Sequence, residues 1–169
     1  MNAEQSRYFG KYRGTVFNTL DPDRLARLQA VVPDVLGTAP TTWAMPSLPF
    51  AGPGAGVVVL PPVGAGVWIE FEQGDPDYPI WSGCWWGAAF ELPAVVQASP
   101  PGIGQIALVT PGGHALVISD LPGPAGGITL LTHAGARISM TDTSIVIDNG
   151  QGAAITLTGN TVRLTGVMV

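Results

Sequence analysis

The sequence is poor in charge, in cysteine and in long apolar runs, and each shortage excludes a class of protein. Charged residues make up 11% of the 169 positions, less than half of the roughly 25% found in ordinary globular domains. The single cysteine, Cys84, excludes an intrachain disulfide and a cysteine zinc site, and we expect it to be a small buried hydrophobe. The most apolar stretch, 57–69, is interrupted by Pro61 and Pro62, so no segment can cross a bilayer as a helix.

The few charges are unevenly distributed, which argues against nucleic acid or an anionic membrane as a general partner. The formal net charge is −5, and five of the seven basic residues lie before position 28. Such low charge on a chain that is 46% apolar indicates surface covered in an assembly; the alternative is a small stable monomer with a Ser/Thr-rich surface. The polar N-terminus has no signal-peptide pattern, so we expect assembly in the cytoplasm, then incorporation into a larger particle.

The carboxylates give little support for catalysis. The Asp-Pro-Asp motifs at 21–23 and 75–77 have turn chemistry, because proline pre-sets the backbone beside an aspartate that can bond to it. Residues 110–169 contain three aspartates and no glutamate, which is a poor basis for a carboxylate pair that cleaves glycosides. We therefore predict a non-enzymatic protein without a cofactor, and keep a β-helical carbohydrate-active enzyme as an alternative.

The first half of the chain alternates short apolar segments with tight turns. Strands are predicted at 12–18, 24–32, 56–62, 66–72 and 80–86. The segment 24–32 also fits a short helix. Short strands joined by tight turns and one long Pro-rich loop over 33–56 are typical of a Greek-key barrel such as an OB-fold. Some OB-folds bind single-stranded nucleic acid through aromatic side chains in a basic groove; here the aromatics are present without the groove, so that function stays an alternative.

The last third consists of apolar residues spaced two apart, separated by Gly, Asn, Asp, Thr and Pro. Spacing of two places both members of a pair on one face of a strand. The segment 135–147 is similar to 152–164, at an offset of 17 residues. Such short-period self-similarity is typical of stacked architectures in which no repeat buries its apolar face alone. The paired residues are Leu116 and Ile118, Ile128 and Leu130, Ile138 and Met140, Ile145 and Ile147, Ile155 and Leu157, and Val162 and Leu164.

Strand length decides how this repetitive region can bury its apolar pairs. A single-chain β-helix needs several rungs of roughly 20 or more residues, whereas these strands are about five residues long. One chain cannot close a tube, but three can, with the apolar pairs pointing to a shared axis and Ser139, Thr141, Thr156 and Thr158 pointing outward. Closure also removes exposed strand edges. We therefore expect a homotrimer whose axis is packed by the twelve paired residues.

A trimer would also bring three copies of each histidine together. His114 has the same strand parity as Leu116 and Ile118, so three copies could form an axial nitrogen ring able to hold a metal. His133 has the opposite parity to its neighbouring apolar pair. A polar surface or packed ring is the default interpretation of His114, and no metal is predicted.

The ordered motifs of the chain resemble the central baseplate spikes of contractile injection systems. These include phage tail spikes and type VI secretion spikes of the VgrG kind. The opening Tyr12-Arg-Gly-Thr-Val16 and the later Thr110-Pro-Gly-Gly-His114 fit this family. Its more specific motifs here are Trp43-Ala44, Phe50-Ala-Gly-Pro-Gly54, Leu60-Pro-Pro-Val-Gly64, Val67-Trp-Ile-Glu-Phe71, Gly74-Asp-Pro-Asp-Tyr-Pro-Ile80 and Gly83. Gly64-Ala65-Gly66 departs from the family, which usually has an acidic residue there.

The resemblance implies a fold and a set of partners. The expected fold is all-β, with an N-terminal OB-fold barrel in residues 1–92, a Pro/Gly-rich linker and needle start in 93–109, and an intertwined trimeric β-prism or β-helix needle in 110–169. The implied function is a structural spike that punctures the target membrane. A hub protein would contact the N-terminal side, with Arg7, Lys11 and Arg13 as candidates. A PAAR-like tip protein would dock on Val167, Met168 and Val169.

Overall fold

The computed structural model describes residues 6–167 and divides into two compact units, Met1–Ala88 and Ala89–Val169, here called unit 1 and unit 2. The fold is all-β, as predicted. Its two α-helices, α1 (Pro33–Leu36) and α2 (Ala94–Gln97), have four residues each. Within residues 6–167, no helix is long and apolar enough to span a bilayer.

Unit 1 is a small barrel built from five strands and a separate short hairpin. Its strands are β1 (Tyr12–Asn18), β2 (Gln29–Val31), β3 (Met45–Pro46), β4 (Ala51–Gly52), β5 (Ala55–Gly56), β6 (Gly66–Phe71) and β7 (Pro79–Trp85). The main sheet has the order β2-β1-β6-β7-β3, and β4 pairs only with β5. Isolated bridges from Leu28 to Ala44 and from Val31 to Pro40 join the two edges of the main sheet. The five strands therefore close into the predicted OB-type barrel.

The barrel encloses a core supplied by alternate residues of its strands. In β6, Val67, Ile69 and Phe71 are buried while the residues between them are half-buried, as the period-two pattern predicts. Trp81 of β7 is buried, and its indole N–H donates to the carbonyl of Ala26. The remaining members of the core are Val16, Leu28, Ala30, Val32 and Ala44. Unit 1 therefore has a closed apolar core within one chain.

Two predicted strands and the expected burial of Cys84 were wrong in detail. Of the predicted strand 24–32, only Gln29–Val31 forms a strand, because the residues before it are held in a loop around Asp21. The predicted strand 56–62 is not paired: only Gly56 belongs to β5, and residues 57–60 have no strand partner among the described residues. Cys84 is exposed on β7, although the register shift between Trp81 and Cys84 places it opposite the buried Val67, and partial desolvation raises the pKa of its thiol.

The loop between β1 and β2 is ordered by one carboxylate. Asp21 accepts hydrogen bonds from the backbone N–H groups of Asp23, Leu25 and Arg27, and from the guanidinium of Arg27. The Asp21 side chain is only 4% exposed, and its bond with Arg27 holds the pKa of the carboxyl well below its usual range. These bonds stabilise a loop in which Arg24 has a positive φ, 55°, which is unfavourable for residues other than glycine.

Unit 2 is one antiparallel sheet in which consecutive strands are neighbours. Its strands are β8 (Gln105–Val109), β9 (Ala115–Ser119), β10 (Gly127–Leu131), β11 (Arg137–Met140), β12 (Ser144–Asp148), β13 (Ala154–Thr158) and β14 (Thr161–Thr165). The sheet order runs from β8 to β14 without a crossover. The 17-residue sequence repeat corresponds to two hairpins, β11–β12 and β13–β14, with Ile138 opposite Ile147 and Ile155 opposite Leu164.

Three turns at one end of this sheet share a five-residue design. They are Thr110–His114, Thr132–Ala136 and Asn149–Ala153, and each begins with a side chain that can bond to the turn's own backbone. The fourth residue is glycine in each turn, at Gly113, Gly135 and Gly152. These glycines have φ between 82° and 97°, which side-chain-bearing residues rarely adopt. Turn chemistry visible in the sequence therefore determines the strand register.

We predict that Asp21→Asn destabilises unit 1, because the amide cannot pair with Arg27 as a carboxylate does. The Asp21 pKa is lowered in the folded state, so its contribution is fully present above the unfolded value of about 3.9 and is lost as pH falls through the folded pKa. Thermal unfolding of both proteins from pH 7 to pH 2 should show a lower midpoint for the variant, with the difference shrinking only below about pH 4.

Asp23→Asn is the matched control for this experiment. The Asp23 side chain is 64% exposed and pairs with Arg27 alone, so its replacement should change the unfolding midpoint less. Equal effects of the two substitutions would contradict the central role assigned to Asp21.

Candidate functional site

The most distinctive surface of the chain is one face of the unit 2 sheet. The strand register aligns its apolar residues in two rows that cross all seven strands, here called the first and second apolar rows and together the apolar face. The first row is Leu108, Leu116, Leu130, Ile138, Ile147, Ile155 and Leu164. The second row is Ile106, Ile118, Ile128, Met140, Ile145, Leu157 and Val162. Each strand contributes one residue to each row.

The apolar face is uncovered in the single chain. All of its residues except the half-buried Leu116 are exposed. Exposure is 36–49% on the five inner strands and rises to 59–62% for Ile106, Val162 and Leu164 on the outer strands. The rise occurs because a residue on an outer strand has a ladder neighbour on one side only. The rows are thus continuous, and no layer formed by residues 6–167 covers them in the single chain.

The opposite face of the same sheet has smaller and more polar side chains. Its central row is Ala107, Val117, Thr129, Ser139, Val146, Thr156 and Arg163. Arg137 and Asp148, directly opposite each other on β11 and β12, approach to 3.7 Å on this face. An antiparallel sheet can keep one face in water if the other face is packed. The polar side is thus the face suited to solvent, and the apolar face is the one that needs a partner.

The size of the apolar face shows that water is not its final environment. If each of its side chains hides roughly 60 Å² on association, one chain buries about 800 Å², which corresponds to about 20 kcal/mol before the entropy of assembly is subtracted. Monomeric proteins rarely expose contiguous apolar patches larger than a few hundred Å². The face has the chemistry of an interface between copies of a chain or with another protein.

The twelve residues predicted to pack a trimer axis all lie on this face. Ile106 and Leu108 lie on it as well, and the sequence analysis missed them. They obey the same i, i+2 rule, so the signal was present, but it fell in an interval interpreted as a linker and needle start. That interval, 93–109, contains α2 and β8. The sheet begins at Gln105, before the segment of strongest repetition.

Of the residues predicted to bind a tip protein, Met168 and Val169 lie outside the described residues. Val167 follows β14 and is 93% exposed. It lines a shallow depression with Ile147, Ile155 and Leu164, all of the first apolar row. The described part of the predicted tip site therefore continues the apolar face at its β14 end.

The basic residues predicted to contact a hub are all engaged within unit 1. Arg7 donates to the carbonyl of Gln73. Lys11 pairs with Glu70 at 3.1 Å and donates to Ser82. Arg13 lies 5.8 Å and 5.0 Å from the ring centres of Trp68 and Trp85, a cation–π arrangement. Lys11 and Arg13 share the outer face of β1, so they form one exposed basic and aromatic patch rather than a free cluster of positive charge.

The two histidines lie close together at one end of the unit 2 sheet. His114 ends the turn before β9, and its Nδ1 accepts a hydrogen bond from the backbone N–H of His133 at 3.4 Å. Within residues 6–167 of a single chain, no three His, Cys, Asp or Glu side chains group closely enough to hold a metal ion. The contact between the two histidine positions was not predicted, because parity within a strand does not describe a turn.

Comparison with known proteins identifies both units. Residues 12–86 match a family described as the type VI secretion system/phage-baseplate injector OB domain. Residues 105–168 match the phage baseplate V C-terminal trimerisation domain. The type VI secretion system spike protein VgrG4b of Pseudomonas aeruginosa is 38% identical over 84 residues, which is 48% of this chain and 10% of VgrG4b. The chain thus spans about a tenth of the length of this curated relative.

We predict that Ile147→Asp prevents self-association without unfolding the sheet. Ile147 is 46% exposed in the single chain, so a carboxylate there can stay hydrated until another chain covers it, when burial would cost several kcal/mol. The mass measured by light scattering should fall to that of one chain, while circular dichroism keeps the β signal. Thr158→Asp on the opposite face is the control and should leave the mass unchanged; equal effects would mean that the faces are assigned wrongly.

Proposed function

The chain belongs to the family of phage-baseplate and type VI secretion spikes, with an injector OB domain and a trimerisation domain, and on that premise we propose that it is the central, non-enzymatic spike of a contractile injection machine. The observation that carries this proposal is the uncovered apolar face, which follows all seven strands of the trimerisation domain. Its work would be mechanical: sheath contraction would drive the spike into the target envelope.

In this proposal three unit 2 sheets form the faces of a needle. The apolar rows would point to the common axis, and the Thr- and Ser-containing faces would point to solvent. The twelve predicted axis residues, together with Ile106 and Leu108, would form layers along the axis. Seven strands at about 4.8 Å each give a needle of roughly 30 Å. The meander supports this arrangement because each strand pairs with its own chain's neighbours, which leaves the apolar side chains free to join the chains.

Resistance to force would come from the same layers. The trimer would separate only if many apolar contacts broke together, so its stability would be largely kinetic. The family relationship supports a structural role, and the carboxylates described above support turns and ion pairs instead of catalysis. The Arg137–Asp148 pair on the outer face would stabilise one sheet without entering the interface.

Two further proteins would complete the spike. A PAAR-like tip protein would dock at the β14 end, where Val167 and the last residues of both apolar rows are most exposed. Apolar patches of this kind are typical of docking sites. A hub protein would contact unit 1 on the patch that contains Lys11, Arg13, Trp68 and Trp85, because interface hot spots are rich in Trp and Arg.

The trimer is tested by the mass of the full chain in solution. We expect a species of three times the 17.4 kDa chain mass that survives SDS at room temperature and separates only on strong heating. A stable monomer would contradict the proposal. Glycan cleavage that Asp142→Asn or Asp148→Asn abolishes would favour the carbohydrate-active alternative instead, and salt-sensitive submicromolar binding of single-stranded DNA would favour the nucleic-acid alternative.

Docking of the tip protein is tested at Val167. Val167→Asp should weaken binding of a PAAR-like protein to the trimer by about tenfold or more, because three apolar contacts become charged. Thr158→Asp, on the outer face, should leave the dissociation constant unchanged when both are measured by calorimetry. Binding that is unaffected by Val167→Asp would place the tip elsewhere.

A further inference from the structure

A second uncovered apolar segment lies in unit 1, far in sequence from the needle. Residues 49–60 are all exposed, and the chain has no charged residue between Asp34 and Glu70. The segment contains the β4–β5 hairpin, which is followed by four apolar residues. These four residues, Val57, Val58, Val59 and Leu60, are here called the arm. Val58 and Val59 are 65% and 63% exposed. Charge depletion combined with apolar exposure is typical of the core of an interface.

Most backbone N–H and C=O groups of the arm also lack hydrogen-bond partners among the described residues. Val57 donates to the carbonyl of Phe50 at 3.0 Å, but the next three residues form no backbone hydrogen bond with any other described residue. The chain continues from there to Pro62 without a turn or a bend. Val58 and Val59 are strand formers, and together with Leu60 they have free backbone donors and acceptors that can pair with a strand edge. This explains why the sequence predicts a strand there while a single chain does not form one.

The same unit has a strand edge that is only half paired. On the side of β7 away from β6, β3 pairs with Ile80 and Trp81 only, and Ser47 donates to the carbonyl of Trp81 at 2.9 Å. From Ser82 to Trp85 no strand within residues 6–167 continues this pairing. Cys84 is exposed on this part of β7. One barrel therefore carries both an unpaired strand-like arm and a free edge that such an arm could extend.

We propose that the arm of one protomer adds as a strand to the free edge of β7 in the neighbouring protomer, so that the three OB units form a closed ring. This inference rests on the trimer proposed above. The arm and the edge are different surfaces, so the contact is head-to-tail, and a head-to-tail contact closes when rotation returns the third copy to the first. Strand addition supplies main-chain hydrogen bonds, and the valine side chains supply apolar contacts.

Tethering favours a second copy of the chain as the occupant of the edge. Residues 86–104 connect β7 to β8 and can span no more than roughly 65 Å even when fully extended. Trimerisation through unit 2 therefore keeps the OB units near one another, at effective concentrations on the millimolar scale. At that effective concentration, the arm of a neighbouring protomer would occupy the β7 edge even if the contact were weak. No other protein or membrane is then needed to cover the edge.

Cysteine crosslinking of the full chain tests the contact, because Cys84 is the only native thiol. The variants Val57→Cys, Val58→Cys, Val59→Cys and Leu60→Cys are each oxidised and separated without reductant. Since alternate side chains of a strand point to opposite faces, two positions spaced by two should give covalent dimers and trimers through Cys84, and the other two should give far less. Oxidation is performed near pH 9 because desolvation raises the pKa of the Cys84 thiol.

The crosslinks need two matched controls. Val63→Cys is as exposed as Val58, at 62% against 65%, but lies outside the arm and should remain uncrosslinked. Adding Cys84→Ser to each reactive variant should remove the covalent species. Crosslinking at every position, Val63 included, would reflect random collision and would overturn the proposal; so would no crosslinking at any arm position.

Hydrogen exchange of the unmodified chain gives an independent readout. Because successive N–H groups of a strand point to opposite edges, either the amides of Val58 and Leu60 or the amide of Val59 should exchange at least about a hundredfold more slowly in the trimer than in the Ile147→Asp protein. Fast exchange in an intact trimer would overturn the arm contact and leave the spike intact, whereas a monomeric wild-type chain would overturn the spike itself. Protection that appears only with phospholipid vesicles would assign the arm to a membrane and reject the second copy.

Discussion

A continuous apolar sheet face that one chain cannot cover is the constraint on which the rest of the structure depends. Each strand of unit 2 is about five residues long and contributes one residue to each of two rows. Within residues 6–167, every residue of these rows except the half-buried Leu116 is exposed in the single chain, so the cost of their hydration can be removed only by another surface. A trimer of identical sheets satisfies this requirement without a different partner protein, since the apolar faces of the three copies cover one another.

Unit 1 removes its core apolar residues from water in a different way. Its five strands close through the bridges between Leu28 and Ala44 and between Val31 and Pro40, so its apolar residues face a shared interior. Closure leaves two local exceptions, the arm and the end of β7. Both are short, uncharged and located where pairing stops. The unit thus encloses a core within one chain and still has surfaces suited to neighbours.

The scarce charges act mainly within the chain. Asp21 and Arg27 order a loop, Lys11 and Glu70 pair across neighbouring strands, and Arg137 and Asp148 pair across a hairpin. Little charge is then left to keep a monomer apart from its copies, which agrees with a protein that works as part of an assembly. Arg7, Lys11 and Arg13 already have partners within unit 1, so charge attraction alone is a weak explanation for hub binding.

The order and spacing of the residues were enough to predict the all-β class, β1, the core face of β6 and the two-residue alternation of unit 2, because these features depend on neighbours along the chain. Tertiary structure decided where strands find partners. The Val-rich stretch after Gly56 has strand propensity but no strand partner within residues 6–167, and Cys84 is exposed although the register shift in β7 places it opposite the buried Val67. The register that turns separate i, i+2 pairs into two continuous rows, Ile106 and Leu108 included, also arises only when all seven strands are aligned. Local pattern sets which residues share a face; which surface covers that face is a property of long-range contacts, since burial depends on what another segment or another chain places against it.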